Sequence, residues 1–113
     1  MDLVINSGQV IAETAQGNAF HYMEEAFRFY VDAPGGFPAM VTPVTATTGM
    51  AGSCNAYYDP ALTMLRFLQS GAGCVDSAYS SVVLHEFGHH IVTSLGLAQP
   101  SFGEGYGDSL AVV

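Results

Sequence analysis

Apolar residues recur at helical spacing from Asn18 onward. Phe20, Met23, Phe27 and Tyr30 form one stripe, while Glu24, Glu25 and Arg28 sit off it. The pattern predicts an amphipathic helix capped by Asn18 and terminated by Pro34-Gly35-Gly36, with its aromatic stripe facing a core. Residues 2 to 12 alternate loosely and predict a short strand. Residues 37 to 48 are rich in β-branched side chains and predict another, with Pro43 suited to an edge or a strand end. Asn55 to Tyr58 and Leu62 to Leu68 flank the turn signature Asp59-Pro60-Ala61, which predicts a hairpin, and residues 70 to 75 form a Gly-rich loop.

Ser77 to Thr93 is the strongest helical segment. Asp76 or Ser77 can cap it, Val82, His85, His89 and Val92 share a face, and Gly96 is placed to end it. After a loop over Leu97 to Gly103, a last helix is predicted from Gly103 or Glu104 and still runs at Val113. Helix, strands, helix, helix is the order of an α+β protein, with a small mixed sheet packed on the first two helices.

The chain has 113 residues, half of them hydrophobic and 11% charged, which suits one ordinary domain and excludes disorder and coiled coil. No apolar run approaches the roughly 20 residues of a membrane span. Ten acids face only Arg28 and Arg66, for a net charge of -8, so a phosphate backbone or a basic membrane helix has no partner here. The opening MDLVINSGQVIA is not a signal peptide, having an acid and no base before its apolar stretch. The lysine-free, Gly-, Ser- and Tyr-rich composition favours a secreted or extracytoplasmic location over a cytoplasmic one.

Cys54 and Cys74 allow one bridge, closing a loop of about 20 residues worth roughly 3 kcal/mol. The alternative is two reduced cysteines acting as small hydrophobes. Their spacing excludes a close-set pair of zinc ligands.

His85-Glu86-Phe87-Gly88-His89 is the pattern H-E-x-x-H inside a predicted helix. Residues four apart differ by only about 40° around a helix, so both imidazoles converge on one point. Two imidazole nitrogens at that spacing suit zinc, and Glu86, beside the first ligand, can reach a water in an open position. A third ligand must come from elsewhere. Apart from Tyr106, Glu104 and Asp108 are the only ionisable side chains after His90, and their spacing of four puts them on one face. His21 and Glu25 also stand four apart, but read as a solvated pair. Gly88 costs about 1 kcal/mol against alanine inside a helix, which points to close approach by a neighbouring element. His90 points about 100° away from His89 and reads as a hydrogen-bonded structural histidine.

His85-Glu86-x-x-His89 followed by Glu104-Gly-Tyr-Gly-Asp108 resembles the gluzincin metallopeptidases, particularly their thermolysin-like and fungalysin-like branches. The resemblance implies a zincin-like fold and a zinc-dependent endopeptidase. In that reading His85, His89 and Glu104 hold Zn2+, Glu86 is the general base, and Asp108 accepts the free ring N–H of His85. Asn18 to Tyr30 is similar to the aromatic-rich first helix of those enzymes. Asn55-Ala56-Tyr57 is similar to the edge strand that pairs with an extended peptide, which makes Asn55 and Ala56 substrate-binding residues.

There are departures. The 14 residues between His89 and Glu104 are a shorter connection than thermolysin-like enzymes use. Those enzymes continue into a large C-terminal subdomain, so residues 1–113 are expected to be a single zincin-like domain, the N-terminal half of a larger catalytic unit. An uncovered cleft floor would then promote self-association. Metzincins are set aside, because they need glycine and a further ligand where Val92 and Leu95 stand. The competing function is a zinc-binding structural or interaction module with little turnover, against which stands Glu86, a base that a structural site does not need.

Overall fold

The computed structural model describes residues 11–32, 44–97, 99 and 101–112. Three helices and a three-stranded mixed sheet make a small α+β structure. They run α1 (Ile11–Val31), β1 (Thr45–Met50), β2 (Ala56–Asp59), β3 (Met64–Leu68), α2 (Ser80–Ser94) and α3 (Ser101–Ala111). None of the described helices is long and apolar enough to cross a membrane.

β3 is the middle strand. It pairs antiparallel with β2, from Ala56 opposite Phe67 to Asp59 opposite Met64, and parallel with β1 from Thr45 opposite Met64. The expected hairpin is therefore present. Asp59 closes its turn by accepting from the Ala61 and Leu62 N–H groups at 3.0 and 3.3 Å. β1 runs to Met50, beyond the expected end at residue 48, because its register slips after Thr47 and Gly49 takes a φ of +67° that its missing Cβ permits. Residues 37 to 43 of that predicted strand, Pro43 included, lie outside the described residues.

β3 alternates as a half-covered strand should, with Leu65 and Phe67 fully buried. Against that face α2 sets Val83, Phe87 and Ile91, also fully buried. α1 closes the core with Ala15, Ala19, Ala26 and Tyr30.

Expectations about α1 need correction at its start, its cap and one residue of its stripe. α1 starts at Ile11, so Ile11 and Ala12 are helical rather than part of a strand, and Asn18 is not a cap. Asn18 sits in mid-helix and its amide donates to the Ala78 carbonyl at 3.0 Å, a long-range tie that local pattern cannot reveal. Of the expected stripe, Tyr30 is buried and Met23 and Phe27 pack against the core beside Ala15, Ala19 and Ala26, but Phe20 is 60% exposed beside a groove between α1 and β1. The remainder of the predicted first strand and the Pro34-Gly35-Gly36 terminator lie outside the described residues.

α2 begins at Ser80 with extended Tyr79 as its N-cap residue, and no side chain caps it. Asp76 instead accepts from Ala78 N–H at 3.0 Å, and the Ser77 hydroxyl donates to the Leu68 carbonyl at 3.0 Å, so both shape the turn before the helix. Gly96 ends α2 as expected. With φ at +68° it donates to Thr93 O at 3.0 Å, and Leu97 N–H reaches Val92 O at 3.1 Å, the paired bonds of a Schellman motif.

α3 begins at Ser101, two to three residues earlier than expected, and its last helical residue is Ala111, one before the turn at Val112. Three glycines in eleven residues make it a poor helix in isolation. Packing on α2 holds it. A Cβ on Gly88 would stand 2.7 Å from Gly107 Cα, and one on Gly107 would stand 2.8 Å from the His85 carbonyl oxygen. The two helices therefore meet backbone to backbone, and the close approach expected at Gly88 is made by α3.

Candidate metal centre

The glycine contact sets the site. Glu104 and Asp108 each follow one of the glycines that face α2, Gly103 and Gly107, so both carboxylates are carried to the two histidines. His85 Nε2 lies 3.1 Å from Glu104 Oε2, His89 Nε2 lies 3.4 Å from Glu104 Oε1, and the two Nε2 atoms are 3.2 Å apart. Donor atoms of His85, His89 and Glu104 all fall within 4.8 Å of one another, so the group could hold a metal ion. Both rings turn Nε2 to the shared centre and Nδ1 away from it. Two imidazole nitrogens and a carboxylate oxygen make a donor set that fits a borderline-soft divalent cation.

Each outward Nδ1 has its own acceptor. Asp108 Oδ1 lies 2.9 Å from His85 Nδ1, and Gln99 Oε1 lies 3.0 Å from His89 Nδ1. The sequence reading missed Gln99, having considered only ionisable side chains after His90. The available signal was an amide-bearing residue in the short connection between two ligand-bearing helices.

Glu86 is buried, with 7% of its surface exposed, and borders two clefts. Burial pushes its carboxyl above the ordinary carboxylate range. The imidazoles of His89 and His85 pull it back, Glu104 raises it, and a backbone hydrogen bond from Tyr58 lowers it. Asn55 and Ala56 lie at the rim of both clefts. One, about 390 Å³, runs along β2 past His85, His89 and Glu104; the other, about 620 Å³, runs past Tyr79, Val82 and Asp108. A larger groove of about 770 Å³ between α1 and β1 lies apart from His85 and His89.

β2 leaves one edge unpaired among the described residues. Because Asn55 O accepts from Leu68 N–H at 3.3 Å, the backbone groups of Ala56 and Tyr58 face away from β3, and Tyr58 N–H donates to the Glu86 carboxylate there. Ala56 N–H is covered by its neighbour's side chain, Asn55 Oδ1, at 2.9 Å. The N-terminal end of β2 is pinned by a Cys54–Cys74 disulfide with Cα atoms 5.3 Å apart.

Other candidates stay away from the centre. His90 is 2% exposed, its Nδ1 is 3.2 Å from the Tyr58 hydroxyl, and burial pushes its pKa down, so it is a neutral core histidine. His21 and Glu25 form an exposed pair 3.5 Å apart, outside any group of three donors among the described residues. Tyr106 hydrogen-bonds Tyr30 on α1. Arg28 pairs with Glu24, and Arg66 with Asp59.

Comparison with models of known protein families, with curated proteins and with solved structures finds no match to this chain.

Proposed function

We propose that this chain is a zinc-dependent endopeptidase domain of gluzincin type, built on a zincin-like fold. The observation that supports it most is the convergence of His85 Nε2, His89 Nε2 and the Glu104 carboxylate beside a buried Glu86 and an open strand edge. Zinc, when bound there, would supply Lewis acidity that polarises a carbonyl and lowers the pKa of water towards about 7. Glu86 accepts a proton from the attacking water and passes it to the leaving amine as the peptide C–N bond breaks. Its burial beside two imidazoles suits a carboxylate that must both take and return a proton. Asp108 holds His85 with Nδ1 protonated and Nε2 turned inward. An extended peptide adds to the open edge of β2, displacing the Asn55 side chain from Ala56 N–H. The disulfide supports an extracytoplasmic location, where such bonds persist.

A second reading, a zinc-binding module with little turnover, is favoured by one observation. Arg28, Arg66 and Tyr106, the obvious groups to stabilise an oxyanion, are each engaged away from the centre. Metal analysis together with peptide cleavage, with and without a chelator, separates the two. One zinc per chain with chelator-sensitive cleavage supports the peptidase; one zinc with no cleavage supports the module; no retained zinc refutes both.

A further inference from the structure

We infer that Gln99 is a positioning residue: it locks His89 in the tautomer that carries its proton on Nδ1 and turns the Nε2 lone pair towards the shared centre. The inference rests on the metal-site reading above and assigns a part to a residue outside the ligand set. Gln99 makes three contacts: Oε1 to His89 Nδ1 at 3.0 Å, Nε2 to the His89 carbonyl at 3.2 Å, and Nε2 to Thr93 Oγ1 at 3.1 Å. The orientation of the amide follows from donor and acceptor capacity. A backbone carbonyl can only accept, so the –NH₂ end of Gln99 must face the His89 carbonyl, and the oxygen end must face the ring. An amide oxygen can only accept in turn, so the ring nitrogen opposite it must be the donor. His89 Nδ1 therefore carries the hydrogen, and Nε2 presents its lone pair.

A separate feature of the chain makes room for this clamp. A Cβ at position 103 would fall 1.7 Å from Gln99 Oε1 and 3.0 Å from His89 Nδ1, so glycine there is a condition for the amide to sit against the ring. Gly103 thus serves His89 as Gly107 serves His85. The two ligand rings are held by unlike acceptors, a half-buried amide for His89 and an exposed carboxylate for His85. A neutral amide orients His89 without adding a negative charge beside Glu104.

The test uses the full chain with Gln99→Met, which keeps length and volume but removes both polar ends, and Gln99→Glu, which restores an acceptor. Thr93→Val removes only the outer anchor of the amide. Two readouts apply: ring-nitrogen NMR shifts of His89 in the metal-free chain at about pH 8, above the imidazole range, and zinc affinity by chelator competition. The parental His89 should show protonated Nδ1; Gln99→Met should shift the ring towards protonated Nε2 and weaken zinc roughly 10- to 100-fold. Gln99→Glu should return the tautomer close to parental, because it restores the acceptor at Nδ1, and Thr93→Val should move both readouts less than Gln99→Met does. Circular dichroism identifies any variant that fails to fold, in which case Gln99→Asn, too short to reach the ring from the same backbone position, takes its place. An unchanged tautomer in folded Gln99→Met, or parental zinc affinity, overturns the assignment. A parental chain that binds no zinc refutes the metal reading, while the ring-nitrogen shifts still decide whether Gln99 sets the tautomer.

Discussion

Alanine at Gly107 and alanine at Gly105 form a matched pair that tests whether the glycine contact assembles the centre. The new Cβ at 107 would lie 2.8 Å from the His85 carbonyl oxygen, 3.0 Å from its Nδ1 and 3.1 Å from its Cε1. The oxygen is backbone inside α2 and cannot swing aside, so α3 must back away by several tenths of an ångström. At position 105 a Cβ meets nothing within 4 Å. Both changes sit inside the same helix and gain about 1 kcal/mol of helix propensity. That gain cancels between the two variants, leaving the overpacking cost at 107, about 1–3 kcal/mol. Gly105→Ala should therefore be more stable than the parent by about 1 kcal/mol, near 4 °C in Tm. Gly107→Ala should fall about 1–3 kcal/mol below Gly105→Ala in denaturant titrations with an unchanged m-value. Zinc affinity adds a second readout, because retreat of α3 lengthens the His85–Asp108 and His85–Glu104 contacts together. Gly105→Ala should bind zinc like the parent, and Gly107→Ala more weakly. Equal stability and equal zinc affinity for the two variants would refute the backbone-to-backbone contact and the account of the site built on it.

Glu86→Gln should retain zinc while losing peptide hydrolysis, since the amide keeps the shape but cannot accept a proton; parental cleavage by the variant would remove Glu86 as the base. Asp108→Ala should weaken zinc roughly 10- to 100-fold, and Glu104→Ala should weaken it more; the reverse order in chelator competition would exchange their roles. Replacing both Cys54 and Cys74 by serine should cost about 3 kcal/mol in denaturant titrations, from the 20-residue separation of the bridge. Tyr30 supplies a pH dependence. Burial, then its hydrogen bond to Tyr106, raises its pKa well above the ordinary value of 10.0. The folded state thus holds the proton more tightly than the unfolded one, so this stability is complete below about pH 10 and is lost as pH rises further. Tyr30→Phe should flatten that alkaline loss, and an identical alkaline profile would count against the assignment.

Local geometry made a good part of this protein legible in its sequence. Helical periodicity located α2, and a spacing of four residues placed both imidazoles on one face, because helix geometry alone dictates that convergence. Asp59 and Gly96 announced a turn and a helix end, since each acts on backbone groups only a few residues away. Gly88 signalled close packing because a glycine inside a helix carries a cost that only a neighbour can offset. The identity of that neighbour was not legible.

What the tertiary structure alone decided involves partners distant in the chain. Asn18 has the composition of a cap, yet its amide serves Ala78, 60 residues away, and the helix runs through it. On α1 the core face adds Ala15, Ala19 and Ala26 to the expected Met23, Phe27 and Tyr30 and leaves Phe20 outside, because close packing against α2 and β1 fits small side chains there. Parallel pairing of β1 with β3 depends on a chain path that residue patterns do not encode. Gln99 has no distinctive spacing, and its part at His89 exists only because the chain turns back on α2 and Gly103 leaves room for the amide. The donors of this centre belong to local sequence; their alignment belongs to a helix contact centred on Gly88 and Gly107.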